Sequence, residues 1–151
     1  MKISDVTEEL LRSIDIHTVL PQQEPFVMVG TLIRFSLDSS TTETRIKEDN
    51  LFVENGVFLP SGMMENIAQT CAARLGFYNK YILENDVKIG YIGAIRDYVV
   101  SGSAKVGDTL ATTVDVIEEI FWMTLAQATV RCGGRVIATA QIKLAVGGAS
   151  E

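Results

Sequence analysis

Few side chains in this sequence can act as acids, bases or nucleophiles. His17 is the only histidine among the 151 residues, and histidine is the side chain that most readily acts as a general base near neutral pH. Glu65 is a carboxylate in the first turn of a predicted helix, where the helix dipole favours negative charge. From the residues alone, we interpret His17 as a surface or capping histidine and Glu65 as a dipole-favoured acid.

The two cysteines offer thiol chemistry only if they are reactive or paired. Cys71 falls on the apolar face of the predicted helix, and Cys132 ends a predicted strand. A thiol in such a position is more often an inert core residue than a nucleophile. We therefore expect two free, buried thiols in a cytoplasmic protein.

Residues 59–80 are the only long segment with clear helical periodicity. Apolar side chains recur there at three- and four-residue steps, which predicts one buried face formed by Met64, Ile67, Ala68, Cys71, Leu75 and Tyr78. Pro60 and Ser61 are a typical start signal, with Ser61 as the expected N-cap. Small residues along the segment would allow another element to pack closely against it.

The chain before this helix begins with a second, shorter helical pattern. Apolar residues with acids between them predict an amphipathic helix within residues 1–16, capped by Ser4 or Asp5. Two prolines hold residues 20–25 in an extended loop and exclude helix there.

The rest of the pattern is typical of strands. We predict six, at residues 26–35, 41–47, 88–100, 109–118, 121–132 and 135–146. Turns are predicted at residues 38–40, 85–86, 106–108 and 133–134. Such short connections make the strands antiparallel. In the polar loop at residues 47–56, the apolar Leu51, Phe52 and Val53 are expected to be buried.

Composition limits the possible functions. The 151 residues suit a single domain, residues 1–151, with its own core. The formal charge of −6 with scattered basic residues argues against nucleic acid as a partner. No apolar run is long enough to cross a membrane, and no signal peptide is recognised, so we expect a cytoplasmic protein.

Several motifs, in this order and spacing, resemble a known family. LPQQEPFVMV (residues 20–29), PSGMMENIAQTCAA (residues 60–73), GYIGAIRDY (residues 90–98) and KVGDTL (residues 105–110) are similar to segments of FabZ/FabA-type 3-hydroxyacyl-[acyl carrier protein] dehydratases. The similarity covers residues 17–146 and is closest to the divergent ApeP-like group. It implies the α+β hotdog fold, an antiparallel sheet wrapped around one long central helix. It also implies a dimer with acyl-thioester tunnels at its interface.

The resemblance implies roles for particular residues. In the family, a histidine takes the α-proton of a 3-hydroxyacyl thioester, and an acid on the central helix protonates the leaving hydroxyl. Glu65 matches that acid, and Gln69, one turn later, is placed to orient it. Backbone N–H groups at the helix start would polarise the thioester carbonyl. The expected substrate-binding residues are therefore Asn55, Gly56, Gly62 and Met63.

The chain departs from the family pattern at the histidine. The loop before the helix, residues 54–60, is several residues shorter and contains no histidine. The histidine of the family's first motif is replaced by Gln22. The usual pair of catalytic groups is therefore incomplete unless His17 moves in or a partner chain supplies a histidine.

Three functions are compatible with these residues. The first is an acyl-carrier-protein-dependent dehydratase in fatty-acid, polyketide or aryl-polyene biosynthesis. The second is a catalytically silent acyl-binding subunit of a dehydratase heterodimer. The third is a thioesterase that uses Glu65 alone. In each case we expect a homodimer or a heterodimer with a related hotdog subunit, a thioester carried on acyl carrier protein or coenzyme A, and no metal or cofactor of the chain's own.

Overall fold

A computed structural model describes residues 1–84, 90–120 and 123–146 of the chain. These residues form nine strands: β1 (Thr31–Phe35), β2 (Ser39–Arg45), β3 (Val53–Glu54), β4 (Val57–Phe58), β5 (Gly90–Val100), β6 (Ala104–Lys105), β7 (Thr109–Ile120), β8 (Met123–Cys132) and β9 (Arg135–Val146). The turn predicted at residues 85–86 and the starts of the strands predicted from residues 88 and 121 lie outside the described residues.

One six-stranded antiparallel sheet forms most of the structure, in the order β1-β2-β7-β8-β9-β5. A small second sheet joins β3, β4 and β6. The hairpin between β8 and β9 turns at Gly133 and Gly134, whose φ angles of 59° and 80° favour glycine. The predicted sequence of two strands, a long helix and four further long strands is therefore confirmed.

The long helix α2 (Pro60–Phe77) lies in the curve of this sheet and continues through one π-helical turn, Tyr78–Ile82. The predicted apolar face is confirmed in part: Ile67 and Cys71 are buried, whereas Met64, Ala68, Leu75 and Tyr78 are only half-buried. Completely buried positions instead include polar ones, and the stripe runs through Met63, Asn66, Thr70, Ala73 and Phe77. The apolar pattern was misleading because the polar side chains find hydrogen-bond partners inside the fold.

The helix starts also differ from the prediction. Leu59 is the N-cap of α2, and no side chain caps the helix, so the predicted capping by Ser61 is wrong. Pro60 occupies the first helical position, where its fixed φ suits the helix and its missing N–H costs nothing. The short helix α1 (Glu8–Ser13) is capped by Thr7, whose hydroxyl accepts a hydrogen bond from the Leu10 N–H at 3.1 Å. Neither predicted cap of this helix is used.

Two further predictions for the first half of the chain need correction. β1 begins at Thr31 rather than at residue 26, because side chains of α2 bind the backbone of the preceding residues. Leu51 is 51% exposed, so its predicted burial is wrong, whereas Phe52 and Val53 pack partly buried against the core. Cys71 and Cys132 are free and buried, as predicted.

The strand β5 forms one edge of the main sheet. It pairs with β9 on one side and has no partner on its other side within the described residues. Ile92, Val99 and Val100 on this strand are exposed. An unpaired strand with exposed apolar side chains is a potential pairing surface for another chain.

No helix in the described part of the chain is long and apolar enough to cross a membrane.

The packing of α2 depends on a glycine near its C-terminal end. A Cβ atom added at Gly76 would lie 2.0 Å from the carbonyl oxygen of Val19, so helix and backbone are in direct contact there. We expect Gly76→Ala to lower the free energy of unfolding by about 1–3 kcal/mol, because backbone atoms cannot yield as a flexible side chain can. Urea denaturation measures the change. Gly93→Ala is the matched control, since its added Cβ would only reach Lys143 O at 3.8 Å; equal effects of the two changes would contradict this account.

Candidate functional site

Glu65 lies on the second turn of α2 and not on the first as predicted, because the helix begins at Pro60 rather than after Ser61. It is on the half-buried side of the helix. Its Oε2 accepts a hydrogen bond from Nε2 of Gln69 at 2.7 Å. The two side chains are four residues apart and therefore adjacent on the helix surface. The carboxylate is thus held in one orientation while the residue keeps part of its surface open.

Gln69 is completely buried, and the backbone of a loop satisfies the rest of its amide group. We call residues 21–30 the proline loop. In it, the carbonyl of Phe26 accepts from Gln69 Nε2 at 2.8 Å, and the N–H of Met28 donates to Gln69 Oε1 at 2.7 Å. Because both amide hydrogens and the carbonyl oxygen of Gln69 are engaged, the side chain has no freedom to rotate away from Glu65.

Asn66 extends this buried network to the sheet. Its Nδ2 donates to the carbonyl of Met28 at 2.7 Å and to Oγ1 of Thr44 at 3.2 Å, and its Oδ1 accepts from Thr112 at 2.5 Å. The sequence reasoning missed Asn66. The signal that could have revealed it is the spacing, since two amide side chains three residues apart share one face of the helix.

The helix start contributes packing rather than free donors. The N–H groups of Gly62 and Met63 both donate to the Leu59 carbonyl, at 2.9 and 3.2 Å. Gly62 is buried beneath Phe52 and Phe58, where an added Cβ would lie 2.6–2.7 Å from their side-chain atoms. The side chain of Met63 is 1% exposed. A substrate-binding role for Gly62 and Met63 remains a prediction.

Asn55 and Gly56 form the turn between β3 and β4, with φ angles of 52° and 79°. Both residues are exposed, and the Gly56 carbonyl accepts from the N–H of Val106 at 3.0 Å. Among the hydrogen bonds of the described residues, none joins this turn to Glu65. The structure therefore joins Glu65 and Gln69 by a hydrogen bond, whereas no described hydrogen bond joins Asn55 or Gly56 to either of them. The predicted role of Asn55 and Gly56 is likewise untested.

His17 interacts with two carboxylates and not with Glu65 among the described contacts. Its Nδ1 lies 2.6 Å from Asp15 Oδ1, and its Nε2 lies 3.0 Å from Glu24 Oε1. The hydrogen bond to Glu24, and to a smaller extent the one to Asp15, raise the pKa of His17 above its ordinary value. The hydrogen bond with His17 lowers the pKa of Asp15. With both ring nitrogens facing carboxylates, His17 in this arrangement is not a free base for chemistry at Glu65.

The half-buried stripe below Glu65 is apolar. Ala68, Ala72 and Leu75 follow it at helical spacing and open onto a crevice of about 60 Å³ between the helix and the sheet. Among the described residues, its lining is Ala68, Cys71, Ala72, Arg74, Leu75, Ile92, Thr124, Leu144 and Ala145. Burial raises the pKa of the Cys71 thiol to about 12. The thiol is therefore protonated at neutral pH and serves as a wall of the crevice rather than as a nucleophile.

The position of the family's first histidine is held by Gln22, whose Oε1 is buried with no hydrogen-bond partner in the described part of the protein. Gln22 makes no hydrogen bond to Glu65 or Gln69 among the described contacts. No group of three or more His, Cys, Asp or Glu side chains suited to a metal ion occurs among the residues that the structure describes.

Comparison with protein families gives one match over most of the chain. The sequence profile of the family described as ApeP-like, ApeP dehydratase, matches residues 14–147. No curated protein sequence matches the chain significantly.

Solved structures share the fold at low sequence identity. A chain of the dehydratase heterocomplex ApeI:P from Xenorhabdus doucetiae is 15% identical, with a TM-score of 0.82 over 91% of this chain and 94% of that one. A hypothetical thioesterase with coenzyme A from Streptococcus pneumoniae is 10% identical, with a TM-score of 0.63 over 78% and 84%. A Streptococcus mutans protein bound to acetyl coenzyme A is 14% identical, with a TM-score of 0.62 over 78% and 87%. The predicted hotdog fold is confirmed.

The network around Gln69 yields a stability prediction. Gln69→Leu keeps the side-chain size but leaves the Phe26 carbonyl and the Met28 N–H without their partner. We expect the free energy of unfolding to fall by about 2–4 kcal/mol, since two buried backbone groups lose their hydrogen bonds. Urea denaturation tests this. Gln23→Ala, an exposed change in the same loop, should have almost no effect; a Gln69→Leu protein as stable as this control would show that the buried bonds are not needed.

Proposed function

Because the chain belongs to the ApeP-like dehydratase family, we propose that it is a hotdog subunit that binds an acyl thioester and supplies Glu65 as the acid of a dehydratase site. A related hotdog subunit supplies the histidine that this chain lacks at the expected position. The structural similarity to a chain of a dehydratase heterocomplex supports this arrangement. The proposed partners are thus a second hotdog subunit and an acyl chain carried on acyl carrier protein or coenzyme A.

The observation that carries this proposal is the fixed orientation of the Glu65 carboxylate. Gln69 donates one hydrogen bond to Glu65, and its other polar groups form hydrogen bonds with the proline loop. A carboxylate orientated by a buried, fully bonded amide is preorganised, which is what acid–base catalysis requires. A carboxylate that merely favoured the helix dipole would need no such support.

The proposed reaction divides the work between two groups. The histidine of the related subunit removes the α-proton of a 3-hydroxyacyl thioester. Glu65, in its protonated form, gives a proton to the 3-hydroxyl group. Water leaves, and a carbon–carbon double bond forms between the α and β carbons of the thioester. Glu65 cannot easily perform both transfers, because they require opposite protonation states in the same encounter.

The apolar stripe below Glu65 suits the acyl part of such a substrate. A thioester placed with its β carbon at Glu65 can direct its chain along Ala68 and Ala72 towards the crevice at Leu75. Burial of the apolar acyl chain against these side chains contributes to binding in proportion to the area removed from water.

Because the substrate is a thioester on acyl carrier protein or coenzyme A, the proposed reaction belongs to the cytoplasm and to fatty-acid, polyketide or aryl-polyene biosynthesis.

A second candidate is thioester hydrolysis. A single orientated carboxylate can attack the carbonyl or activate water without a histidine. The isolated position of Glu65, with His17 bound by Asp15 and Glu24, favours this alternative if the chain acts without a related subunit. A third candidate is a silent acyl-binding subunit, which requires the same crevice but no proton transfer by Glu65.

The open edge of β5 yields a prediction about assembly. We expect the chain to form a dimer, with itself or with a related subunit, in which two sheets join edge to edge at β5, because an exposed unpaired strand is unfavourable. Light scattering of the chain alone and after co-expression with a histidine-bearing hotdog protein from the same genome measures this. Stable monomers at micromolar concentration in both preparations would contradict the prediction.

The proposed division of work predicts the effect of Glu65→Gln. In the complex with the related subunit, we expect dehydration of 3-hydroxyacyl thioesters to slow by about 10²–10⁴-fold, the usual cost of losing a positioned acid–base group. The chain alone should be slow before any mutation. Product absorbance of the enoyl thioester measures the reaction, and Glu54→Gln, a change of an exposed acid, is the control.

The same variants separate the three candidates. Robust dehydration by the wild-type chain alone would rule out the need for a second subunit. Glu65-dependent release of free thiol from plain acyl thioesters would establish hydrolysis instead. Full dehydration by the Glu65→Gln complex, with tight binding of acyl carrier protein, would leave the chain as a silent subunit.

A further inference from the structure

A tight turn of the proline loop is bound by side chains at both of its ends. The turn closes with the Phe26 N–H donating to the carbonyl three residues earlier, at 2.9 Å. At one end, His17 Nε2 lies 3.0 Å from Glu24 Oε1. At the other, Gln69 donates to the Phe26 carbonyl at 2.8 Å and to Glu65 at 2.7 Å. A continuous path of hydrogen bonds and a three-residue backbone segment therefore joins His17 to Glu65.

We propose that His17 is a positioning residue for Glu65, acting through Glu24 and the proline loop, and that the protonated imidazole holds this path in its ordered form. The effect on catalysis rests on the proposed function. The effect on the loop rests only on the contacts, and it can be measured without any substrate.

The two carboxylates require two donors from one ring. A protonated imidazole donates from both nitrogens, whereas a neutral one donates from a single nitrogen. The ring contact with Asp15 is the shorter of the two, 2.6 Å from Nδ1 against 3.0 Å from Nε2 to Glu24. We therefore expect the neutral ring to keep its single N–H on Nδ1, although Glu24 has the larger effect on the pKa of the ring. The donated bond to Glu24 is then lost.

The direction of the pH effect follows from the same contacts. Hydrogen bonds to Glu24 and then to Asp15 raise the pKa of His17 above its ordinary value of about 6.5. The Glu24 contact is therefore complete below that ordinary value and is lost as the pH rises through the raised pKa. Within the described residues, Arg45, Lys47 and Asp49 line a cavity together with Glu24, and Lys80 Nζ lies 3.5 Å from the Thr18 carbonyl. In the described ion pairs, Asp15 and Glu24 are joined to His17 and to none of these four groups.

The Met28 amide reports the order of the loop directly, because its N–H is bonded to Gln69. We expect its hydrogen exchange, corrected for the intrinsic dependence on pH, to be about two- to fivefold faster above the His17 titration than below it, the size expected for exposed charge pairs. Glu24→Gln should remove this step and lower the His17 midpoint measured by NMR. His17→Gln should remove the step as well. Glu48→Gln makes the same charge change at an exposed residue with no ion pair among the described contacts, and it should keep the step.

Turnover by the complex provides the second measurement. We expect kcat to fall across the same pH step in the wild-type chain and in Glu48→Gln, but to show no such step in Glu24→Gln. An exchange step that survives in Glu24→Gln, or a wild-type protein without one, would overturn the positioning role. An exchange step of the expected kind in a protein without Glu65-dependent turnover would support the positioning role while overturning the proposed function.

Discussion

The structure depends on the enclosure of one helix that carries buried amide side chains. Asn66 and Gln69 are completely removed from water inside the fold. A buried amide without partners is costly, so each must be bonded within the protein. Both use the backbone of the proline loop, at Phe26 and Met28. The helix therefore dictates where the loop runs, and the loop takes side-chain partners in place of a neighbouring strand.

The same constraint determines what Glu65 can do. Its carboxylate is next to Gln69 on the helix. Because the loop takes the other hydrogen bonds of the Gln69 amide, one N–H donor remains for Glu65. A group needed for the stability of the fold thus also orientates the acid. This coupling explains how the orientation of an acid can survive in a chain without a nearby histidine. The orientation of the Glu65 carboxylate, on which the proposed function depends, is maintained by the folding requirement itself.

The contacts between charged groups at the surface are weaker than the hydrogen bonds of the buried amides. His17, Asp15 and Glu24 are exposed, and contacts of this kind contribute far less than the buried bonds. Of the three, only Glu24 lies in the proline loop, two residues before the Phe26 carbonyl that Gln69 binds. His17 reaches the loop through its contact with Glu24. The proposed effect of His17 on the order of the loop therefore acts through a weak surface contact, whereas the fold depends on the buried bonds.

The sequence by itself determined the order of elements, because periodicities of two and of three to four residues follow from local geometry and survive in any surroundings. The glycine turn at residues 133–134 and the free thiols were predicted from local residue types, whereas the Glu65–Gln69 pair was predicted from the resemblance to FabZ/FabA-type dehydratases. Only the tertiary structure decided that Asn66 is buried, that Ser61 caps nothing, and that residues 26–30 are not a strand. These features depend on partners that are distant in the chain: Asn66 meets Met28 and Thr112 across 38 and 46 residues. Local patterns report the polarity of a side chain, but only the assembled fold decides whether that polarity is satisfied by water or by protein.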